Sequence, residues 1–155
     1  MRLSNLYPPR PGRVHEAVGP AAVSFALWAA AQSCADVLWV RESWVAQTLN
    51  PQGFDGLEPS RLLLAQTKNQ TDTLAVAEET LRDGAVPFVV LEITAPIGLT
   101  AGRRLQLAAK AGGTTGLCLT PEGAGSNAAE TRWHCMPVFD AQDSTLQHWT
   151  LTKNK

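Results

Sequence analysis

The sequence has little of several things that define whole functional classes. Its three cysteines, Cys34, Cys118 and Cys135, stand far apart in 155 residues, with no C-x-x-C pair and an odd count. That excludes a disulfide framework and a cysteine-based zinc site, and it fits reduced, mostly buried thiols in a cytoplasmic protein. The three histidines are scattered, so no metal ligand set is expected. No charge of one sign prevails: 13 Lys and Arg stand against 14 Asp and Glu, a formal net charge of -1. No overall field therefore draws the chain to nucleic acid or to an anionic membrane. Long hydrophobic runs are missing too. The stretch around Ala21–Ala31 is interrupted by Ser24 and falls far short of the about 20 residues of a membrane span. Met1–Arg13 lacks the apolar core of a secretion signal.

What is present is a globular composition, 45% hydrophobic and 17% charged, on a chain long enough for one domain with a real core. Strand and helix patterns alternate along it. Pro8-Pro9-Arg10-Pro11-Gly12 is too rich in proline for helix or central strand. Val14–Val18 reads as a short strand. Gly19-Pro20 turns it into a helix over Ala21–Ala35, which is apolar nearly all round and so is expected to be buried on more than one face. Val37–Val40 and Arg61–Gln66 read as strands, with a turn of helix and a loop around Trp44–Phe54 between them. Thr71–Asp83 has helical spacing, with Asp72 suited to its cap or first turn and Gly84 to its end. Pro87–Ile93 is a continuous apolar, β-branched run, the mark of a central parallel strand. A helix over Thr100–Ala111 stops at Gly112-Gly113, and strands at Thr115–Leu119 and Thr131–Val138 flank a Gly/Ser loop, Pro121–Asn127. Such alternation predicts an α/β fold, a mostly parallel sheet with helices on both faces. The core domain is read as 14–138, with an N-terminal extension 1–13 and a C-terminal tail 139–155.

The turn at Gly19 occupies the place of a phosphate-binding loop. A working G-x-x-x-x-G-K-[ST] loop cradles phosphates with backbone N–H groups, reaches them with Lys and holds Mg²⁺ with a hydroxyl. Counted from Gly19, the second glycine falls on Ser24, the lysine on Phe25 and the hydroxyl residue on Ala26. Only the first fixed position survives, so ATPase activity is not expected and no cofactor is assigned. No nucleophile constellation appears either. Ser24 lacks a G-x-S-x-G elbow, and Cys118 lies within an apolar strand. His15 and Glu16 are strand neighbours whose side chains point to opposite faces, so they are not expected to act together.

Leu62–Ile93 resembles the stretch of RecA recombinases from the third core strand through the Walker B strand, and HEAVGP is similar to the RecA lead-in to Walker A. A closer resemblance is carried by GRVHEAVGPAA, VLWVRESW, LNPQGF, RLLLAQT, RDGAVPFVVLEI, LTAGRRLQLAAKAGGTTGLCL and AAETRW. Together these are similar to the ImuA family, RecA-like bacterial proteins of the DNA-damage (SOS) response related to the SulA division inhibitors. The resemblance runs from about Gly12 to Val138 and implies a RecA-like, P-loop-type three-layer α/β/α fold with a degenerate Walker A. It implies an accessory role in mutagenic translesion synthesis, alongside an inactive Y-family polymerase homologue or another mutasome component. It also puts Glu92 in the place of the Walker B carboxylate. Little sequence stands before the core to form the N-terminal helix and strand that link RecA protomers, so a RecA-type filament is not expected.

If the chemistry is lost, function is expected on the surface, by protein–protein docking. Arg103 and Arg104, with Lys110 further along the same helix, form the single helical basic cluster. Trp133 beside Arg132 combines two residue types enriched at binding hot spots. Two placements stand open for that pair: outward as a docking or base-stacking platform, or inward with Arg132 bridging to Glu130. Trp28, Trp39 and Trp44 are expected in the core, and Trp149 is a candidate exposed anchor or, in the other reading, a cap on the sheet. A weak DNA contact, a single-stranded DNA-binding module and a SulA-like inhibitor of a cell-division protein are the alternative readings.

Overall fold

The ends of the helices have local causes, and these place the rest of the chain. The computed structural model describes residues 5–155; Met1–Ser4, the first part of the N-terminal extension, lie outside the described residues. Strand β1 (Arg13–Val18) leads through three residues into helix α1 (Ala22–Gln32). Ala21 before this helix has no side chain to cap it; its N–H donates to the Cys135 carbonyl at 3.1 Å. Strand β2 (Val37–Glu42) follows, then two short 3-10 turns, Pro51–Gly53 and Pro59–Arg61, and strand β3 (Leu62–Thr67). Helix α2 (Gln70–Asp83) is capped by Asn69, whose Oδ1 accepts the Asp72 N–H at 2.9 Å, and it ends on left-handed Gly84. Asp72 thus sits in the first turn, as its charge favours.

Strand β4 (Phe88–Glu92), helix α3 (Leu99–Gly112), strand β5 (Thr115–Thr120), strand β6 (Thr131–Pro137) and strand β7 (Gln147–Asn154) complete the chain. The seven strands form one sheet in the order β3-β2-β4-β5-β1-β6-β7. Every pairing is parallel except β6 with β7. Helix α1 covers one face over Ala17, Trp39, Val90 and Leu117. Helices α2 and α3 cover the other over Val14, Val40, Val89 and Leu91. The alternation of these residues between faces follows from the two-residue period of each strand. At the close of α3, a Cβ on Gly112 would lie 1.9 Å from the Leu81 carbonyl oxygen, so only glycine lets α3 press this closely on α2.

The expected elements are present with boundaries moved by up to three residues, and three expectations change. The segment 139–155, read as a tail, contributes β7, whose Trp149 and Leu151 pack on the α1 side of the core. Of the tryptophans expected inside, Trp39 is buried, but Trp28 is 45% and Trp44 65% exposed. The sheet covers one side of α1, through Phe25, Ala26, Ala29 and Ala30, and leaves Trp28 on the outer side. Trp44 lies just past β2, where the chain has left the sheet.

Candidate docking surface

The turn at Gly19 is closed by the backbone of β6. Gly19 has φ +103°, and a Cβ there would stand 2.5 Å from the Cys135 carbonyl oxygen. That same carbonyl takes the Ala21 N–H, while the Ala22 N–H turns back to the Gly19 carbonyl at 3.1 Å. Two of the donors that begin the helix are spent within the protein. Phe25 and Ala26 are fully buried under the sheet. Ser24 is partly exposed in the first turn of α1.

Glu92 ends β4 as a structural anchor. Its Oε1 accepts from the Trp39 indole at 2.8 Å and from Arg41 Nε at 3.1 Å, and Arg41 Nη2 completes an ion pair. Arg41 also donates to the Gln47 carbonyl, which ties the segment after β2 to the sheet. A second buried pair was not foreseen. Glu16 Oε2 pairs with Arg132 at 2.7 Å, and its Oε1 accepts the Ser126 N–H at 2.6 Å. Glu16 and Arg132 are direct register partners across β1 and β6, which residue spacing cannot reveal. Glu130, the partner foreseen for Arg132, instead meets Arg10 at 2.8 Å and Arg13 at 3.6 Å.

His15 and Glu16 do face opposite ways. His15 Nε2 lies 3.0 Å from the Arg10 carbonyl, so that nitrogen carries the proton, and Nδ1 accepts from Thr131 Oγ1 at 2.7 Å. Thr131 Oγ1 in turn accepts the Trp133 indole N–H at 3.0 Å. The chain of donors is complete only with neutral histidine, and burial pushes the His15 pKa down. Burial likewise pushes the Cys118 thiol up and the Cys135 thiol up to about 12, so neither is a nucleophile. No group of three His, Cys, Asp or Glu is placed to hold a metal among the described residues. No helix among them is long and apolar enough to cross a membrane.

The surface candidates separate. Trp133 is 1% exposed, held by its bond to Thr131 and by Phe25 at 5.4 Å between ring centroids. It therefore offers no face to a partner; its alternating position in β6 points it to the α1 side. Arg132 points to the opposite side and is held by Glu16. Arg104 is paired with Glu78 at 3.0 Å, whereas Arg103 makes no ion pair among the described residues and borders a separate groove along α3. Trp149 is half-buried and meets Phe25 edge-on at 4.9 Å and Tyr7 at 5.1 Å. Its outer neighbour is Trp28, at 6.0 Å and 82°. Trp28 beside half-buried Trp149 thus forms an aromatic pair on the outside of α1 and β7. Trp149, read as a candidate exposed anchor, is half-buried, and Trp28, expected in the core, is exposed.

No protein-family profile matches the chain. In sequence it is 32% identical over 115 residues to protein ImuA of Caulobacter vibrioides, from two strains alike. The match takes in 66% of this chain and 46% of that protein, so it spans about half the length of the curated relatives. In structure the chain is similar to the RadB recombinase, with a TM-score of 0.67 and 15% identity, covering 94% of this chain and 83% of that one. It is also similar to SulA from Pseudomonas aeruginosa, with a TM-score of 0.57 and 20% identity, covering 70% of this chain and 97% of that one. The fold is therefore the RecA-like α/β fold that the sequence led us to expect.

Proposed function

Since the chain belongs to the ImuA family across its RecA-like core, we propose that it is a non-catalytic accessory protein of DNA-damage tolerance, acting in translesion synthesis by docking a protein partner. The observation that supports this reading is the turn at Gly19, engaged by protein groups. The Cys135 carbonyl takes a helix-start N–H that an ATPase leaves open, Phe25 stands where the loop needs its lysine, and Glu92 is bound by Arg41 and Trp39. The chain would use its fold as a platform, with Trp28 and Trp149 as the anchor pair, because a large aromatic at a half-covered site gains the most from exclusion of water. The partner expected from the family is an inactive Y-family polymerase homologue. Direct binding of single-stranded DNA has less support, because the stacking residue foreseen for it, Trp133, is inside and the net charge is -1.

The test combines nucleotide and partner. ATP with Mg²⁺ is expected to leave the melting temperature unchanged, since a bound ligand must stabilise the fold it binds. The inactive polymerase homologue is expected to co-purify with the chain. A nucleotide-dependent rise in melting temperature would restore an ATP site. Capture of a division protein instead of the polymerase homologue would move the function to the SulA side of the fold.

A further inference from the structure

Two surface features remain that neither the core nor the aromatic face uses, and they lie at opposite ends of the same strands. The first is an open groove of about 590 Å³ beside α3, where β1 and β6 begin. Its apolar side is Leu99 and Leu107, the latter 67% exposed. Its rim carries Arg13, Arg103, Lys110 and Lys155 against one carboxylate, Glu130, which is already paired with Arg10 and Arg13. Arg103 and Lys110 are seven residues apart, which puts them on one face of α3, and among the described residues neither has an acidic partner. No aromatic ring lines the groove, so it lacks the stacking platform that a single nucleic-acid strand uses.

The second feature is the tip of the β6–β7 hairpin. The ladder closes with the Val138 N–H on the Leu146 carbonyl at 2.9 Å. Beyond it Phe139 is 94% exposed, and Met136, Val138 and Leu146 are exposed around it. Asp140 accepts the N–H groups of Gln142 and Asp143, and Asp143 accepts from the N–H and hydroxyl of Thr145. These bonds hold both carboxyls below their usual pKa, so both stay ionised, and they give the loop a defined shape. An exposed apolar cluster rimmed by charge marks a contact surface. Its chemistry, apolar knob and carboxylates, is complementary to that of the groove, apolar floor and cations. The two lie about 20 Å apart along β6, by its rise per residue, and cannot meet within one molecule.

We propose that the hairpin tip of one copy seats in the α3 groove of a second copy, with Phe139 and Leu146 against Leu99 and Leu107 and the two aspartates facing Arg103 and Lys110. The contact is heterologous, joining two different patches, so each added copy leaves one tip and one groove free and short head-to-tail chains form. The tip is small, well under the about 1,200 Å² of a stable interface. Association is therefore weak, concentration-dependent and reduced by salt, because the charges face each other near solvent. The aromatic face at Trp28 is left free for a different partner.

Sedimentation velocity across a rising concentration series tests this with the whole chain. The wild type is expected to show a rising average sedimentation coefficient that falls back on adding salt. Phe139→Ser, with a dead tip, and the double variant Arg103→Glu/Lys110→Glu, with a dead groove, are each expected to stay monomeric. All three positions are exposed, so circular dichroism should show an unchanged fold. Mixing the two variants supplies one intact tip and one intact groove, and it is expected to give a one-to-one complex that grows no further. A wild type monomeric throughout, self-association that survives in either variant, or a mixture that forms no complex would each overturn the proposal.

Discussion

At the scale of single residues, Gly19, Phe25 and Glu92 are each engaged by neighbouring groups of the fold. Gly19 is required by a positive φ and by a carbonyl that leaves no room for a Cβ. Gly19→Ala is expected to lower stability by about 2 kcal/mol or more in urea unfolding; a loss below about 0.5 kcal/mol would contradict the packed turn. Arg132 neutralises a carboxylate, Glu16, that is 1% exposed. Arg132→Ala should cost about 3 kcal/mol, because it strands a buried charge, and Glu16→Gln in the same chain should restore part of that loss. Unaltered stability in Arg132→Ala would return this side chain to the list of surface contacts. The departure from the loop motif after Gly19 was legible in sequence because Ser24, Phe25 and Ala26 differ from it wherever the chain folds. The Glu16–Arg132 and Glu92–Arg41 pairs were not, because they join strands that become neighbours only in the sheet.

At the scale of elements, periodicity located the helices well and left their outer faces undecided. Helix α2 was readable nearly to its ends because Asp72 and Gly84 punctuate it, while its cap, Asn69, was not singled out. Helix α1 was misjudged because residues that are apolar all round do not say which side meets the sheet, and Trp28 faces outward. Strand β7 was passed over although Trp149 and Leu151 alternate with polar residues, because that pattern is short and ends in lysines. The contact of α2 with α3 depends on Gly112, where a side chain would meet the Leu81 carbonyl. Gly112→Ala is expected to force the helices apart and lower the unfolding midpoint, by about 2 kcal/mol in stability; an alanine tolerated without loss would mean that the two helices do not press together there.

At the scale of the whole molecule, one buried histidine links the N-terminal segment, β1 and β6, and it makes stability depend on pH. His15 titrates below the usual histidine value of 6.5 in the folded state because it is buried, while Glu130, Arg10 and Arg13 face it with opposing effects. The unfolded chain thus binds the proton more readily. The stabilising contribution is complete above about pH 6.5 and is lost as the pH falls from there toward the folded value. Thermal melts of the wild type should therefore decline below about pH 6.5, and His15→Gln should flatten that part of the profile. An unchanged slope in the variant would assign it to another group.

On the proposed function, this RecA-like core docks its partner through Trp28 and Trp149. Isothermal titration of the intact chain with the inactive Y-family polymerase homologue tests it most directly, with Trp28→Ala measured beside the wild type. Saturable one-to-one binding by the wild type, weakened about tenfold or more in Trp28→Ala with the fold intact, is the predicted result. No binding by the wild type, or equal binding by the variant, would contradict it.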